Sequence, residues 1–223
     1  MFESDAGSKS ERIRARISEA ATASFIERGY AATTMRLIAA EAGVSVGNAY
    51  YYFPSKDHLV QDLYERVQRE HGDRARSRLG QERGLVPRLR IVLETGLETL
   101  APYDRSASGF LTAMIAPDSP INPLASESSP AREMTVGLLR EAVDGATHRL
   151  PTDIAEPLPD ALFVAYLGLV LRWTYDRSPG RQATLRLLAT GLRLLALTLP
   201  IVGAPGVHRV ARDLLGQIAG VRA

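Results

Sequence analysis

The chain has 223 residues, 45 % hydrophobic and 23 % charged, with a formal net charge of +2. That balance suits a globular fold and argues against wholesale disorder, and the near-neutral charge gives no global sign of a nucleic-acid binder. With no cysteine in the chain, disulfides, thiol nucleophiles and cysteine-ligated metals are excluded, which fits a reducing cytoplasm.

Residues 1–8 are polar and acidic, unlike a signal peptide. Ser8-Lys9-Ser10-Glu11 has capping-box spacing and predicts a helix start; Ile13, Ile17, Ala20, Ala21 and Phe25 follow at helical spacing, with Gly29 as the stop. Thr34 is the expected N-cap of a second, short helix ending before Gly43. Ser45 caps a third that Pro54 terminates. Ser55 caps a longer fourth, running to about Arg78 with Leu59, Leu63 and Val67 inward.

Further on, helical periodicity covers roughly residues 86–102, 106–116, 132–145, 159–176, 181–199 and 207–220, separated by Pro-rich connectors at 117–130 and 151–159. No alternating strand pattern or internal repeat stands out. The expected fold is all-α: a helix-turn-helix head over residues 9–54 and a helical body over 55–223, joined by the helix at 55–78. A membrane span needs roughly 20 mostly apolar residues. The most apolar stretches are bracketed or interrupted by Asp160, Arg172, Arg186 and Arg193, so the expectation is a soluble, cytoplasmic protein with no membrane partner.

The informative stretch is residues 34–56. Ala39 lets a neighbouring helix cross closely, Gly43 suits a tight left-handed turn, and Ile38, Val44, Ala49 and Phe53 supply apolar positions that hold two short helices at a steep angle. Such a pair presents its second helix to the DNA major groove. Residues 42–55 carry no charge, so this helix must approach phosphates through backbone N–H groups, hydroxyls and its dipole. Residues 9–56 carry a modest basic excess, with Lys9, Arg12, Arg14, Arg16, Arg28, Arg36 and Lys56 against Glu11, Glu19, Glu27 and Glu41.

Phe25-Ile26-Glu27-Arg28-Gly29-Tyr30, Thr33-Thr34-Met35, Ile38-Ala39, Ala42-Gly43-Val44-Ser45, Gly47, Tyr50-Tyr51-Tyr52-Phe53-Pro54-Ser55-Lys56 and Leu59 fall in one ungapped register. Over roughly residues 10–70 the sequence thereby resembles the tetracycline-repressor (TetR-like) family of transcription regulators. The resemblance implies a homodimer bound to a palindromic double-stranded DNA operator, acting as a repressor by default and released by a small-molecule effector. It places the DNA-facing positions at Thr34, Arg36, Ser45, Gly47, Asn48, Tyr50, Tyr51, Tyr52 and Lys56. In chemical terms Asn48 can read adenine and Arg36 guanine, while Tyr50, Tyr51 and Lys56 suit phosphates; Tyr52 and Phe53 are also candidates for core.

Gly43-Val44-Ser45-Val46-Gly47 matches the G-x-S-x-G nucleophile elbow formally, but that motif needs a preceding strand, and a short helix is expected there. No Walker loop, dinucleotide fingerprint or HExxH motif occurs. His58, His71, His148 and His208 lack metal-ligand spacing. No enzyme activity, cofactor or metal is therefore expected. The alternative is a helical ligand-binding or enzymatic domain whose head no longer engages DNA.

In the body, Tyr103, Phe110, Met114, Met134, Leu138, Tyr166, Arg172, Trp173 and Tyr175 are candidate pocket residues, Arg172 because it interrupts an apolar helix beside the single tryptophan. Leu185, Leu188, Leu192, Leu195 and Leu199 form a stripe at spacings of three and four, with Leu187, Leu194 and Ala196 beside or behind it. A helix apolar on more than one face is normally buried on more than one side, so this stripe and the helix at 159–176 are the expected dimer interface, packed as a four-helix bundle.

Overall fold

The computed structural model describes residues 3–104, 107–115, 119, 121–125 and 129–220. Its elements are α1 (Glu3–Ala32), α2 (Met35–Glu41), α3 (Val46–Tyr52), α4 (Lys56–Leu79), α5 (Leu85–Leu100), α6 (Ala107–Ile115), α7 (Ser129–Asp144), α8 (Thr152–Ala155), α9 (Leu158–Thr174), α10 (Gln182–Thr198) and α11 (Pro205–Ala219). No strand occurs among the described residues.

Three local readings shift. First, α1 begins at Glu3, ahead of the expected start near Ser8. Residues 3–8 contain no proline and carry acids at Glu3 and Asp5, which suit the positive end of a helix; the Ser8 side chain lies outside the described residues. Second, Gly29 breaks the helix as expected, at φ 80°, but one further turn follows it, and the Thr33 hydroxyl donates to the Gly29 carbonyl at 2.8 Å. Third, the 151–159 connector holds the one-turn helix α8.

The head packs around Ile17, Ala21, Phe25, Ile38, Ala39, Ala49, Phe53 and Leu59, all buried. Leu59, Val60, Leu63 and Val67 extend this core along α4, so the head is not closed off at residue 54. A polar clasp ties α1 to α4: buried Asp62 accepts from the Ser18 hydroxyl and pairs with Arg14 at 2.6 Å.

In the body, α5 and α7 pack on one another and each packs on α4 and on α9, with α10 on α5 and α9 and α11 on α8 and α9. Leu89, Val92, Leu138, Leu139 and Phe163 form its centre. Arg88 lies buried in this core. Its guanidinium donates to the carbonyls of Leu79, Glu82, Glu141 and Ala142, each at 2.8 or 2.9 Å. It closes the C-terminal ends of α4 and α7, where free carbonyls and the negative dipole end favour a cation. A Cβ at Gly145 would collide with this guanidinium.

The segments 152–174 and 179–201 are long and apolar enough to cross a membrane by length and composition alone. In the fold, α9 is a core helix, with Ala161, Phe163, Tyr166, Leu169 and Trp173 buried. By contrast, α10 and α11 show solvent Leu187, Leu194, Leu197, Val210 and Leu214. The expected interface stripe turns inward: Leu188 and Leu192 are buried in the protomer's own core, against which Leu195 and Leu199 also pack. Of that stripe, Leu185 is exposed, at 38 %. The reason is helical phase: α5 and α9 claim the stripe and leave Leu187, Leu194 and Leu197 outward.

Candidate functional site

Two short helices make the head's outer surface. Thr34 caps α2 by accepting from the Leu37 amide at 3.2 Å, and Ser45 caps α3 by accepting from the Asn48 amide at 3.1 Å. Between them Gly43 turns at φ 63°, a left-handed conformation that residues with a Cβ rarely adopt. The Val44 amide donates to the Ala39 carbonyl at 2.9 Å. Ala39 and Ala49 are fully buried, so α2 and α3 approach at small side chains. Residues 43–45 thus link α2 to α3, whose first turn holds Val46 and Gly47, and the Ser45 hydroxyl serves a cap rather than a strand-to-helix elbow.

Of the nine expected DNA-facing residues, Thr34, Arg36, Ser45, Gly47, Tyr50 and Tyr51 are exposed and Asn48 is half-buried. Tyr51 is 79 % exposed. Nothing stands within 4 Å of where a Cβ on Gly47 would be, so the α3 backbone is open to close approach.

Tyr52 and Lys56 are differently engaged. The Tyr52 hydroxyl accepts from Ser10 at 3.1 Å. Lys56 Nζ donates to the carbonyls of Tyr30 at 2.8 Å and Thr33 at 3.1 Å, and lies 3.9 Å from the Tyr30 ring centroid. Lys56 is therefore a pin between the end of α1 and the start of α4, and burial lowers its pKa. Asp57 accepts from the Tyr30 hydroxyl beside it. Ser55 stands at the N-cap position of α4 without a capping bond; its hydroxyl meets His58 Nδ1 at 2.8 Å.

The body holds a partly open cavity of about 500 Å³ between α4, α6, α9 and residues 122–124. Tyr103, Phe110, Met114, Tyr166 and Trp173 line it as expected. Met134, Leu138 and Arg172 do not. Leu138 is spent in the core, and α7, which carries Met134, contributes nothing to the lining. Arg172 is 42 % exposed beside Asp176, 3.9 Å away, and Tyr175 is exposed too. The sequence reading missed the α4 wall, where Tyr64 and Gln68 join Val60, Leu63 and Val67. Their i, i+4 spacing beside the Leu63–Val67 face was the available signal.

Burial pushes the pKa of Tyr64 and Tyr166 well up, and the neighbouring Tyr64 raises that of Tyr166 further; both hydroxyls keep their protons at neutral pH. Below them, the Thr135 hydroxyl donates to Gln68 Oε1 at 2.7 Å. His71 Nε2 donates to the Val92 carbonyl at 2.8 Å, and burial lowers the His71 pKa, which keeps the ring neutral.

The cavity and the head share a wall. Phe110, on the cavity lining, packs edge-on against Phe25 of α1 with ring centroids 5.5 Å apart, and lies 6.4 Å from Tyr30. Both α4 and α6 therefore touch cavity and head, so a change at the cavity has two packed routes to α1.

Residues 17–63 match the family model for bacterial regulatory proteins of the tetR family, and residues 88–201 match the tetracyclin repressor-like C-terminal domain. The HTH-type transcriptional regulator TtgR of Pseudomonas putida is 41 % identical over 69 residues, covering 31 % of this chain and 33 % of TtgR. The HTH-type transcriptional repressor KstR of Mycolicibacterium smegmatis is 48 % identical over 61 residues, 27 % of this chain and 30 % of KstR. The match thus spans about a third of these curated relatives. Among solved structures, a tetR-family regulator from Streptomyces coelicolor superposes with a TM-score of 0.63 at 17 % identity, covering 94 % of this chain and 87 % of the other. Thermus thermophilus FadR, a repressor solved in complex with lauroyl-CoA, gives a TM-score of 0.55 at 25 % identity, covering 79 % of this chain and 93 % of FadR. With both halves matched in order along one all-helical fold, the chain belongs to the tetR family of bacterial regulatory proteins.

Proposed function

We propose that the protein is a cytoplasmic homodimeric repressor that binds a palindromic DNA operator through α3 and leaves it when a small molecule fills the body cavity. The observation that carries the DNA reading is the surface of α3: a seven-residue helix, uncharged, with both tyrosines at 50 and 51 exposed and an open backbone at Gly47. Large aromatics on a short exposed helix suit a partner that covers them, and hydroxyls, amides and a helix start suit phosphates and base edges.

In this reading residues 9–54 form the head and 55–223 the body, with α4 and α6 as couplers. Arg36 and Asn48 read bases. Thr34, Ser45, Tyr50 and Tyr51 hold phosphates. Lys56 and Tyr52 act by fixing the head. The dimer face is the outward side of α10 and α11, centred on Leu187, Leu194, Leu197, Val210 and Leu214. A two-fold pairing there sets two α3 helices against half-sites about one DNA turn apart, ~34–36 Å.

Effector action requires a ligand that binds the DNA-incompetent dimer more tightly than the competent one. The test is a titration of DNA from immediately upstream of the protein's own gene at several salt concentrations. Asn48→Ala and Arg36→Ala are expected to relax preference at particular operator positions, each by about 1–3 kcal/mol. Tyr51→Ala is expected to weaken all sequences alike. Equal affinity for upstream and unrelated DNA, unchanged in every variant, would refute the DNA reading and favour a head that no longer engages DNA.

A further inference from the structure

We propose that the effector is an uncharged, mostly apolar molecule carrying one hydrogen-bond-accepting oxygen, and that Tyr64, Tyr166 and the Gln68 amide are the groups that receive that oxygen. This rests on the effector reading of the cavity and adds the ligand's chemical class.

Two observations carry it. The first is charge: among the described residues lining the cavity there is no Lys, Arg, Asp, Glu or His. An ionic ligand would lose hydration there with no opposite charge in the lining itself, a cost of several kcal/mol per ion; the charges that act on the lining tyrosines, Arg132 on Tyr64 and Arg66 and Glu70 on Tyr103, stand behind it. The second is a cluster of polar groups that the protein leaves unused. The hydroxyls of Tyr64 and Tyr166 have no hydrogen-bond partner among the described residues, although both line the cavity. Gln68 is only 5 % exposed. Its oxygen is held by Thr135 at 2.7 Å, which leaves its amide nitrogen as a donor.

None of the three is sealed in protein, since Arg66 Nε is the sole fully occluded side-chain polar atom without a partner among the described residues. All three residues line the cavity, with the Tyr166 hydroxyl lying near Gly96 of α5. Buried polar groups are almost always satisfied; Tyr64 and Gln68 lie one turn apart on α4 and Tyr64 is close enough to act on Tyr166, so these donors fit an acceptor oxygen such as a ketone, lactone or ether. The remaining wall, with Phe110, Met114 and Trp173, takes an apolar body.

The test uses the full-length protein and near-isosteric probes: 2-acetylnaphthalene, 2-ethylnaphthalene and 2-naphthoate, with lauroyl-CoA as a large anionic probe. Trp173 is the single tryptophan of the chain and lines the cavity, so quenching of its fluorescence reports occupancy; calorimetry gives the affinity. The ketone is expected to bind about ten-fold tighter than the ethyl compound, the scale of one or two net hydrogen bonds, and the naphthoate more weakly than either.

In the Tyr64→Phe/Tyr166→Phe double variant, the preference for the ketone collapses to about two-fold or less. Binding of 2-ethylnaphthalene is the internal control that the cavity still forms. Equal binding of ketone and ethyl compound, a ketone preference that survives the double variant, or tighter binding of 2-naphthoate or lauroyl-CoA overturns the ligand class and leaves the cavity a ligand site. Binding of the ketone without any change in operator affinity refutes the effector reading instead. Absence of quenching by all four probes overturns both.

Discussion

Replacing Leu194 with alanine separates the dimer face from the protomer core. Leu194 is 63 % exposed, whereas Leu192, two residues away, is 4 % exposed. Full burial of a leucine side chain is worth about 1.5–3 kcal/mol. The exposed share of Leu194 is therefore about 1–2 kcal/mol per protomer, counted twice in a two-fold interface. Alanine keeps roughly one of the four side-chain carbons, leaving a loss of about 1.5–3 kcal/mol per dimer, or about 10- to 100-fold in dimer dissociation constant.

Sedimentation velocity over a concentration series reads that shift, and circular dichroism confirms the helices stay folded. Operator affinity falls in parallel, because two half-sites must be gripped together. Leu192→Ala behaves differently. It opens a cavity in the protomer and costs about 2–5 kcal/mol of unfolding free energy. A Leu194→Ala protein that unfolds earlier but dimerises as before would refute the assignment of the two faces.

Ser45→Ala removes the α3 cap and is expected to cost about 0.5–2 kcal/mol in thermal unfolding while weakening DNA binding; an esterase activity lost in this variant would contradict the capping role. Arg88→Met keeps the stem but strips donors from four carbonyls, with an expected loss of about 3 kcal/mol or more in urea unfolding; a loss under about 1 kcal/mol would mean water replaces the guanidinium. His71 is buried and its pKa is lowered in the fold, so the unfolded chain takes up its proton first. Its contribution is complete above the unfolded value near 6.5 and is lost as pH falls through the folded value. His71→Gln should accordingly show a flatter stability profile than the parent between about pH 7 and 5, and superimposable profiles would exclude this role.

The head was legible in the sequence because its determinants are local. Thr34 and Ser45 sit where a cap must sit, Gly43 marks a turn that needs positive φ, Ala39 marks the crossing and Ala49 an apolar packing position; the structure contains each. The helices of the body were also legible, since a 3.6-residue period survives any tertiary arrangement.

What the sequence could not decide was which neighbour claims which face. A leucine stripe on α10 looks the same whether its partner is α5 and α9 of the same chain or a second protomer, and only packing assigned Leu188 and Leu192 to the former. Lys56 reads from the sequence as a phosphate contact, and only the placement of the end of α1 beside it, offering two carbonyls, makes it a pin. Arg88 carried no sequence signal at all, because the groups it satisfies lie as far as 54 residues away. The cavity is likewise a property of the assembly: Tyr64 and Tyr166 are far apart in the chain, and only the fold that sets α4 and α9 as walls of one cavity brings them together. Local chemistry fixes caps, turns and periods, while long-range packing decides which polar groups are satisfied by the chain and which are left for a ligand.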